Sequence, residues 1–175
     1  MIKKKLIEFA VKSVDYLNNE NLKYTVGKYN LELSTRTISD VIEKYLVNYA
    51  IDYFGKENIE FGNYNGYDVI ILNIFKNKIY VNIKTNLTNQ HLDASWLASA
   101  SVIDRFVASG ICSYLYCIKL EYSKESSFIR FLNGKVAGPV SQLNLIKFTK
   151  GEISQFKIRT EFNGTHYHIL NNDYE

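Results

Sequence analysis

The sequence predicts one α/β (α+β) domain over residues 1–175, with a central mixed β-sheet flanked by helices. Three observations carry this expectation. Ile38, Val41, Ile42, Tyr45, Leu46, Tyr49 and Tyr53 recur at helical spacing. Within YDVIILNIFKNKIYVNIKTN, Tyr67 to Asn86, two apolar segments read as strands closed by a polar turn. The run ICSYLYCIKLEY is apolar without alternation, as in a strand covered on both faces and central in its sheet.

The bulk numbers agree with a globular chain. At 175 residues it can bury a real core, and its 46% hydrophobic and 22% charged residues are ordinary for such a domain. No apolar run approaches the roughly 18–20 residues of a membrane span. The basic start MIKKKLIEFAVKSVDYL is interrupted by Glu8, Lys12 and Asp15, so it does not read as a signal peptide, and a cytoplasmic location is the expectation. A net charge of +3 and a pI near 8.7 permit a polyanionic partner without demanding one. Cys112 and Cys117 are too few for a zinc site and read as small buried thiols.

In chain order, Leu6, Phe9, Ala10, Val14 and Leu17 mark a first helix over residues 5–18, which Asn18, Asn19 and Asn21 end. NLKYTVGKYNLELS is a loop or weak hairpin. The Ile38–Tyr53 stripe forms the second helix, with Thr37 as N-cap, Asp40 three residues on, and Gly55 as the stop. NIEFGNYNGYDVIILNI is strand-like, broken by the Asn63–Gly66 turn; FKNK closes a hairpin onto KIYVNIKT. LDASWLASASVIDRFVASG predicts a small-residue helix capped by Asp93 or Ser95 and ended by Gly110. After the buried strand, FIRFLNGKV, LNLIKFTKG, ISQFKIRTEF and GTHYHIL read as shorter strands. There is no repeat, linker, phosphate-binding glycine loop or nucleophile elbow.

The hairpin carries the chemistry. Tyr80, Asn82 and Lys84 share one strand face, and an antiparallel closure near Phe75–Lys78 brings Asp68 beside them. A carboxylate, an amide oxygen and a lysine then line one sheet end. Mg²⁺ takes hard oxygen ligands, and one or two carboxylates suffice beside waters and phosphate. A lysine alongside can orient an attacking water and offset phosphoryl charge. A plain cross-strand ion pair is the other reading of the same spacing.

Residues Asp40 to Asn86 resemble the PD-(D/E)XK nuclease superfamily, the core shared by many type II restriction endonucleases. Asp68 matches its first acid, with Tyr67 where the family has proline. Asn82-Ile83-Lys84 matches its acid-any-lysine element and is followed by Thr85, and Glu43 in SDVIEKYL matches a further acid on the preceding helix. The departure is Asn82 in place of Asp or Glu. The resemblance implies a restriction-endonuclease-like fold and Mg²⁺-dependent, site-specific hydrolysis of double-stranded DNA by a homodimer, with a cognate DNA methyltransferase in the same system. It implies Asp68 as main metal ligand, Asn82 offering its amide oxygen to the metal or holding its water, Ile83 and Glu43 completing the metal set, and Lys84 activating the water. A catalytically inactive DNA-binding module of the same fold is the alternative, and Asn82 favours it.

Groups suited to DNA are scattered. Arg36 and other basic residues could touch phosphate, and Asn89, Gln90 and His91 form a polar loop just after the lysine strand. Gln155, Arg159, Asn163 and His166 suit base readout, although the same segment also reads as a simple sheet-edge hairpin. His166 and His168 share a strand face, but no third metal ligand stands nearby in sequence.

Overall fold

The structure, a computed structural model, describes residues 1–62, 66–88, 97–142, 144–150, 153–158 and 168–169. The first helix, α1 (Ile2–Asn19), buries Leu6, Phe9, Ala10, Ser13 and Leu17, the three-to-four spacing of a single apolar face. Ser13 would be a polar intruder there, but its Oγ donates to the Phe9 carbonyl at 2.7 Å. A short hairpin follows, β1 (Thr25–Val26) against β2 (Leu31–Glu32).

The second helix, α2 (Thr35–Phe54), starts earlier than the expected Thr37 cap. Ser34 is the N-cap, because its Oγ accepts the Thr37 backbone N–H at 3.1 Å, so Thr37 already lies inside the first turn. Gly55 ends the helix at φ 91°, as expected of a residue free to take positive φ. Ile38, Ile42, Leu46, Ala50 and Phe54 form the buried stripe.

A five-stranded mixed sheet is the centre of the molecule. Its strands are β3 (Ile59–Phe61), β4 (Val69–Ile71), β5 (Ile79–Leu87), β7 (Leu115–Glu125) and β8 (Phe128–Ala137), in the spatial order β3-β4-β5-β7-β8. Only the β5–β7 pair is parallel; the others are antiparallel. Both α1 and α2 pack on one face, against Val69, Ile71, Ile79, Val81, Ile83, Ile118, Leu120 and Tyr122. This is the expected α+β arrangement of a mixed sheet flanked by helices.

The run ICSYLYCIKLEY divides. Ile111–Ser113 is a 3₁₀ turn after Gly110 (φ 74°), and the strand begins at Leu115. Leu115 to Ile118 are buried consecutively, as in a central strand covered on both faces. Cys112 and Cys117 are free buried thiols, pushed up to about 11 and about 12 by burial.

One expectation does not hold. The helix predicted from Asp93 or Ser95 begins at Ala100 as α3 (Ala100–Ser109), and Leu97–Ser99 is a strand, β6. Its partner is β10 (Ile153–Ile158), with Leu97 opposite Lys157, so the pairing comes from more than fifty residues away and leaves no local period. Asp93 and Ser95 themselves lie outside the described residues. The strands after β8 lie apart from the central sheet: β9 (Asn144–Lys150), β10 and β11 (His168–Ile169) form, with β6, a separate four-stranded sheet in the order β11-β9-β10-β6. Among the described residues no helix is long and apolar enough to cross a membrane.

The packing of α1 on β8 is close. A Cβ at Gly134 would lie 2.6 Å from the Ala10 carbonyl oxygen and 3.0 Å from a Leu120 methyl. The Asn18 side chain ties the same two elements, accepting the Phe131 N–H at 2.8 Å and donating to the Phe131 carbonyl at 3.0 Å. Gly134→Ala should therefore push the helix off the strand and destabilise the fold by about 1–3 kcal/mol. A urea midpoint unchanged from wild type would show that the helix does not sit this close.

Candidate active site

The hairpin of β4 on β5 aligns Val69 with Val81, Ile70 with Tyr80 and Ile71 with Ile79. Asp68 thus stands immediately before the ladder, across from Asn82, with Lys84 just beyond the end of pairing. The backbone fixes Asp68 on both sides. Its N–H donates to the Val81 carbonyl at 2.8 Å, and its own carbonyl accepts the Gly62 N–H at 2.9 Å. Its side chain is held too, since Oδ2 accepts the Ile83 N–H at 2.5 Å, a charge-assisted bond.

Glu43 arrives from α2. Ser39, one helical turn earlier, shares a 2.6 Å hydroxyl contact with Thr85 of β5, which sets the helix against the strand. Glu43 is half-buried beside Asp68 and Lys84. Burial first, then the Asp68 carboxylate within hydrogen-bonding reach, push its carboxyl up to about 7, while Lys84 pulls it down. The helix glutamate thus stands beside the Asp68 carboxylate, half-buried. Asp68 and Lys84 are not among the ion pairs closer than 4.0 Å in the described residues. The lysine stands near the acids without being consumed by one of them.

Asn82 is buried, at 2% exposure. Its Nδ2 donates to the Gly66 carbonyl at 2.9 Å, and its Oδ1 faces the Cys117 thiol at 4.0 Å. Tyr67, where the nuclease pattern has proline, packs its ring edge-on to Tyr80 (5.0 Å between centroids) and beside Phe106 (6.0 Å).

Two carboxylates that the fold keeps close, against burial and mutual repulsion, form a set that could take a divalent cation of hard-oxygen preference. Asp68 and Glu43 are the side chains here that could hold such a cation. No cluster of three His, Cys, Asp or Glu side chains occurs among the described residues, so a dedicated all-protein cage is not formed there.

The structure brings together Glu43, Asp68, Ile83 and Lys84, with Asn82 adjoining them beneath the Gly66 carbonyl. Arg36 is exposed in the first turn of α2. Gln155 lies on β10, opposite Phe148 and Ser99. Asn89, Gln90, His91, Arg159, Asn163 and His166 lie outside the described residues. Sequence reasoning missed Ser39 and Gly66. Ser39 had a signal, since it precedes Glu43 by four residues and so shares its helix face; Gly66 had only its turn composition.

No protein-family model matches the sequence, and none of the characterised proteins compared with it matches. Among solved structures the chain is similar to NlaIV restriction endonuclease, with a TM-score of 0.58 and 12% identity over 93% of this chain and 75% of that one. It also aligns with a restriction endonuclease in complex with substrate DNA, with a TM-score of 0.43 and 12% identity, covering 74% of this chain and 61% of that one. The first likeness shows that the chain has a restriction-endonuclease-like fold.

The Ser39–Thr85 contact generates a stability test. Ser39→Ala and Thr85→Val should each cost about 0.5–1.5 kcal/mol, and the double variant little more than either, because both remove one shared bond. Strict additivity in urea unfolding would mean that the two hydroxyls do not support each other.

Proposed function

We propose that the protein is a Mg²⁺-dependent, type II site-specific deoxyribonuclease that hydrolyses phosphodiester bonds of double-stranded DNA. The observation that carries this reading is the convergence of Glu43, Asp68 and Lys84 at the open end of the β4–β5 ladder, on a fold shared with a restriction endonuclease. Fold alone would not suffice, because one fold hosts many functions; the side-chain group is what argues for hydrolysis.

Asp68 and Glu43 would hold the cation, with the Ile83 main chain beside them. Bound Mg²⁺ would supply Lewis-acid polarisation of the phosphoryl oxygen and acidify water. The chain's own work is positional. Asp68 keeps Oδ2 on the Ile83 N–H, so its carboxylate has a fixed orientation and one oxygen left for the cation. Lys84 would orient the attacking water and offset charge on the pentacoordinate phosphorus. Glu43, half-buried and beside Asp68, would be the second carboxylate for the cation.

DNA contact would involve Arg36 on the phosphate backbone, with Asn89, Gln90, His91, Gln155, Arg159, Asn163 and His166 as candidate readers. Cutting both strands of a palindromic site calls for two-fold symmetry, so the working form is a homodimer, partnered in the cell by a methyltransferase that protects the same site. The second reading, a DNA-binding module without catalysis, is favoured by Asn82, which brings no charge to the position where the nuclease pattern has an acid. Plasmid incubated with Mg²⁺ separates the two: discrete fragments support the nuclease, and a mobility shift with intact DNA supports the module.

Lys84→Ala should lower the single-turnover cleavage rate by about 10²–10⁴-fold while leaving DNA affinity nearly unchanged, since the lysine is assigned to the chemical step. Asp68→Ala should abolish Mg²⁺-dependent cutting; a variant with wild-type Mg²⁺ dependence would move the metal elsewhere. Sedimentation at saturating protein should give two chains per duplex, and one chain per duplex would overturn the dimer.

A further inference from the structure

Why the chain has an amide at position 82 is answered by what that amide touches. β4 begins at Val69, so the Gly66 carbonyl has no partner from the ladder. Asn82 Nδ2 supplies one, at 2.9 Å, from a side chain that is 2% exposed. Gly66 sits at φ 91°, in a region that favours glycine, and leads within two residues to Asp68. We propose that Asn82 is a positioning residue: it latches the Gly66 carbonyl and thereby presents the Asp68 carboxylate, and it does not ligate the metal through its amide oxygen.

The amide's own geometry argues for this. Nδ2 is the donor to a carbonyl, which fixes which end of the amide points where, so Oδ1 is directed to the Cys117 thiol, on the neighbouring strand. A carboxylate in the same pocket would have no N–H for Gly66. It would instead oppose one oxygen with another where solvent cannot intervene. The neutral amide is therefore the residue that this turn requires, and the acid of the nuclease pattern would undo the turn. Three bonds then hold one short segment: Asn82 on Gly66, Val81 on the Asp68 N–H, and Ile83 on the Asp68 carboxylate. Consecutive residues of β5 thus grip the chain that delivers the acid.

This inference rests on the metal reading of Asp68 and Glu43, and its test is chosen to separate the two. Mg²⁺ is titrated calorimetrically into the DNA-free protein, and thermal midpoints are measured without metal. Asn82→Asp should lower the midpoint by about 2–8 °C. It should also weaken Mg²⁺ binding by about 10–100-fold, as loss of an outer support does. Gly66→Ala, which disturbs the same carbonyl from its own side, should do likewise, and the two changes should be less than additive. Tighter Mg²⁺ binding by Asn82→Asp would put position 82 on the metal and overturn the latch. Should Asn82→Asp fail to fold, Asn82→Ser carries the same expectations, since it shortens the donor without adding charge, and unaltered Mg²⁺ binding in it overturns the latch. If the wild-type chain takes up no Mg²⁺, the metal reading fails instead; the latch is then decided by the thermal cycle, in which additive losses overturn it.

Discussion

The register of β4 against β5 is the constraint on which the rest of the site depends. With Val69 opposite Val81, Val69, Ile71, Val81 and Ile83 face α1 and α2, while Asp68 is delivered to the end of the ladder within reach of the Ile83 N–H. A slip of one residue would turn Val69, Ile71, Val81 and Ile83 away from the core and expose them. Core burial therefore selects the register, and the register selects where the carboxylate stands. The site's precision is inherited from hydrophobic packing two or three residues away from it, and no separate device is needed to set it.

The second support comes from the helix side. α2 is held on the sheet by Ile38, Ile42 and Leu46, all fully or nearly fully buried, and Glu43 adjoins that stripe. A glutamate at the stripe's centre would be desolvated without relief, and one on the far side would never meet Asp68. The boundary position gives partial burial and a carboxylate partner together, which is why its proton is held up to about 7. Lys84 moderates this without closing an ion pair of the kind found among the described residues.

Much of this was legible in the sequence because it is local. The 3.6-residue stripe of α2, the hairpin, Gly55 and Gly110 as stops and the doubly covered β7 all follow from short-range spacing. The convergence of Asp68 with the lysine strand followed from hairpin closure alone. What escaped was set by distant partners. Leu97–Ser99 became a strand because β10 offers it a ladder, while its Leu-Ala-Ser composition is neutral between helix and strand. The Ser34 cap was missed for a smaller reason: Ser34 and Thr37 are both competent caps, and only the hydroxyl's actual bond to the Thr37 N–H decides between them. Asn82 could be seen to depart from an acid pattern, but its reason is a carbonyl sixteen residues back, and no periodicity encodes that.

The charge balance at the ladder end follows from the same geometry. With an acid at position 82 the group would hold three carboxylates and one lysine; as it stands it holds Glu43 and Asp68 against Lys84. Like charges at this separation repel most strongly where water is excluded, and position 82 is the most enclosed of the four. Without a charge there the costliest repulsion is absent, and Glu43 and Asp68 are the two acids that remain. An amide in that place also does what a carboxylate cannot, since it donates. Compared with an acid at this position, the amide gives up one unit of negative charge for a bond that holds the segment carrying Asp68, and whether a site gains or loses by that exchange depends on how far its carboxylate relies on being held.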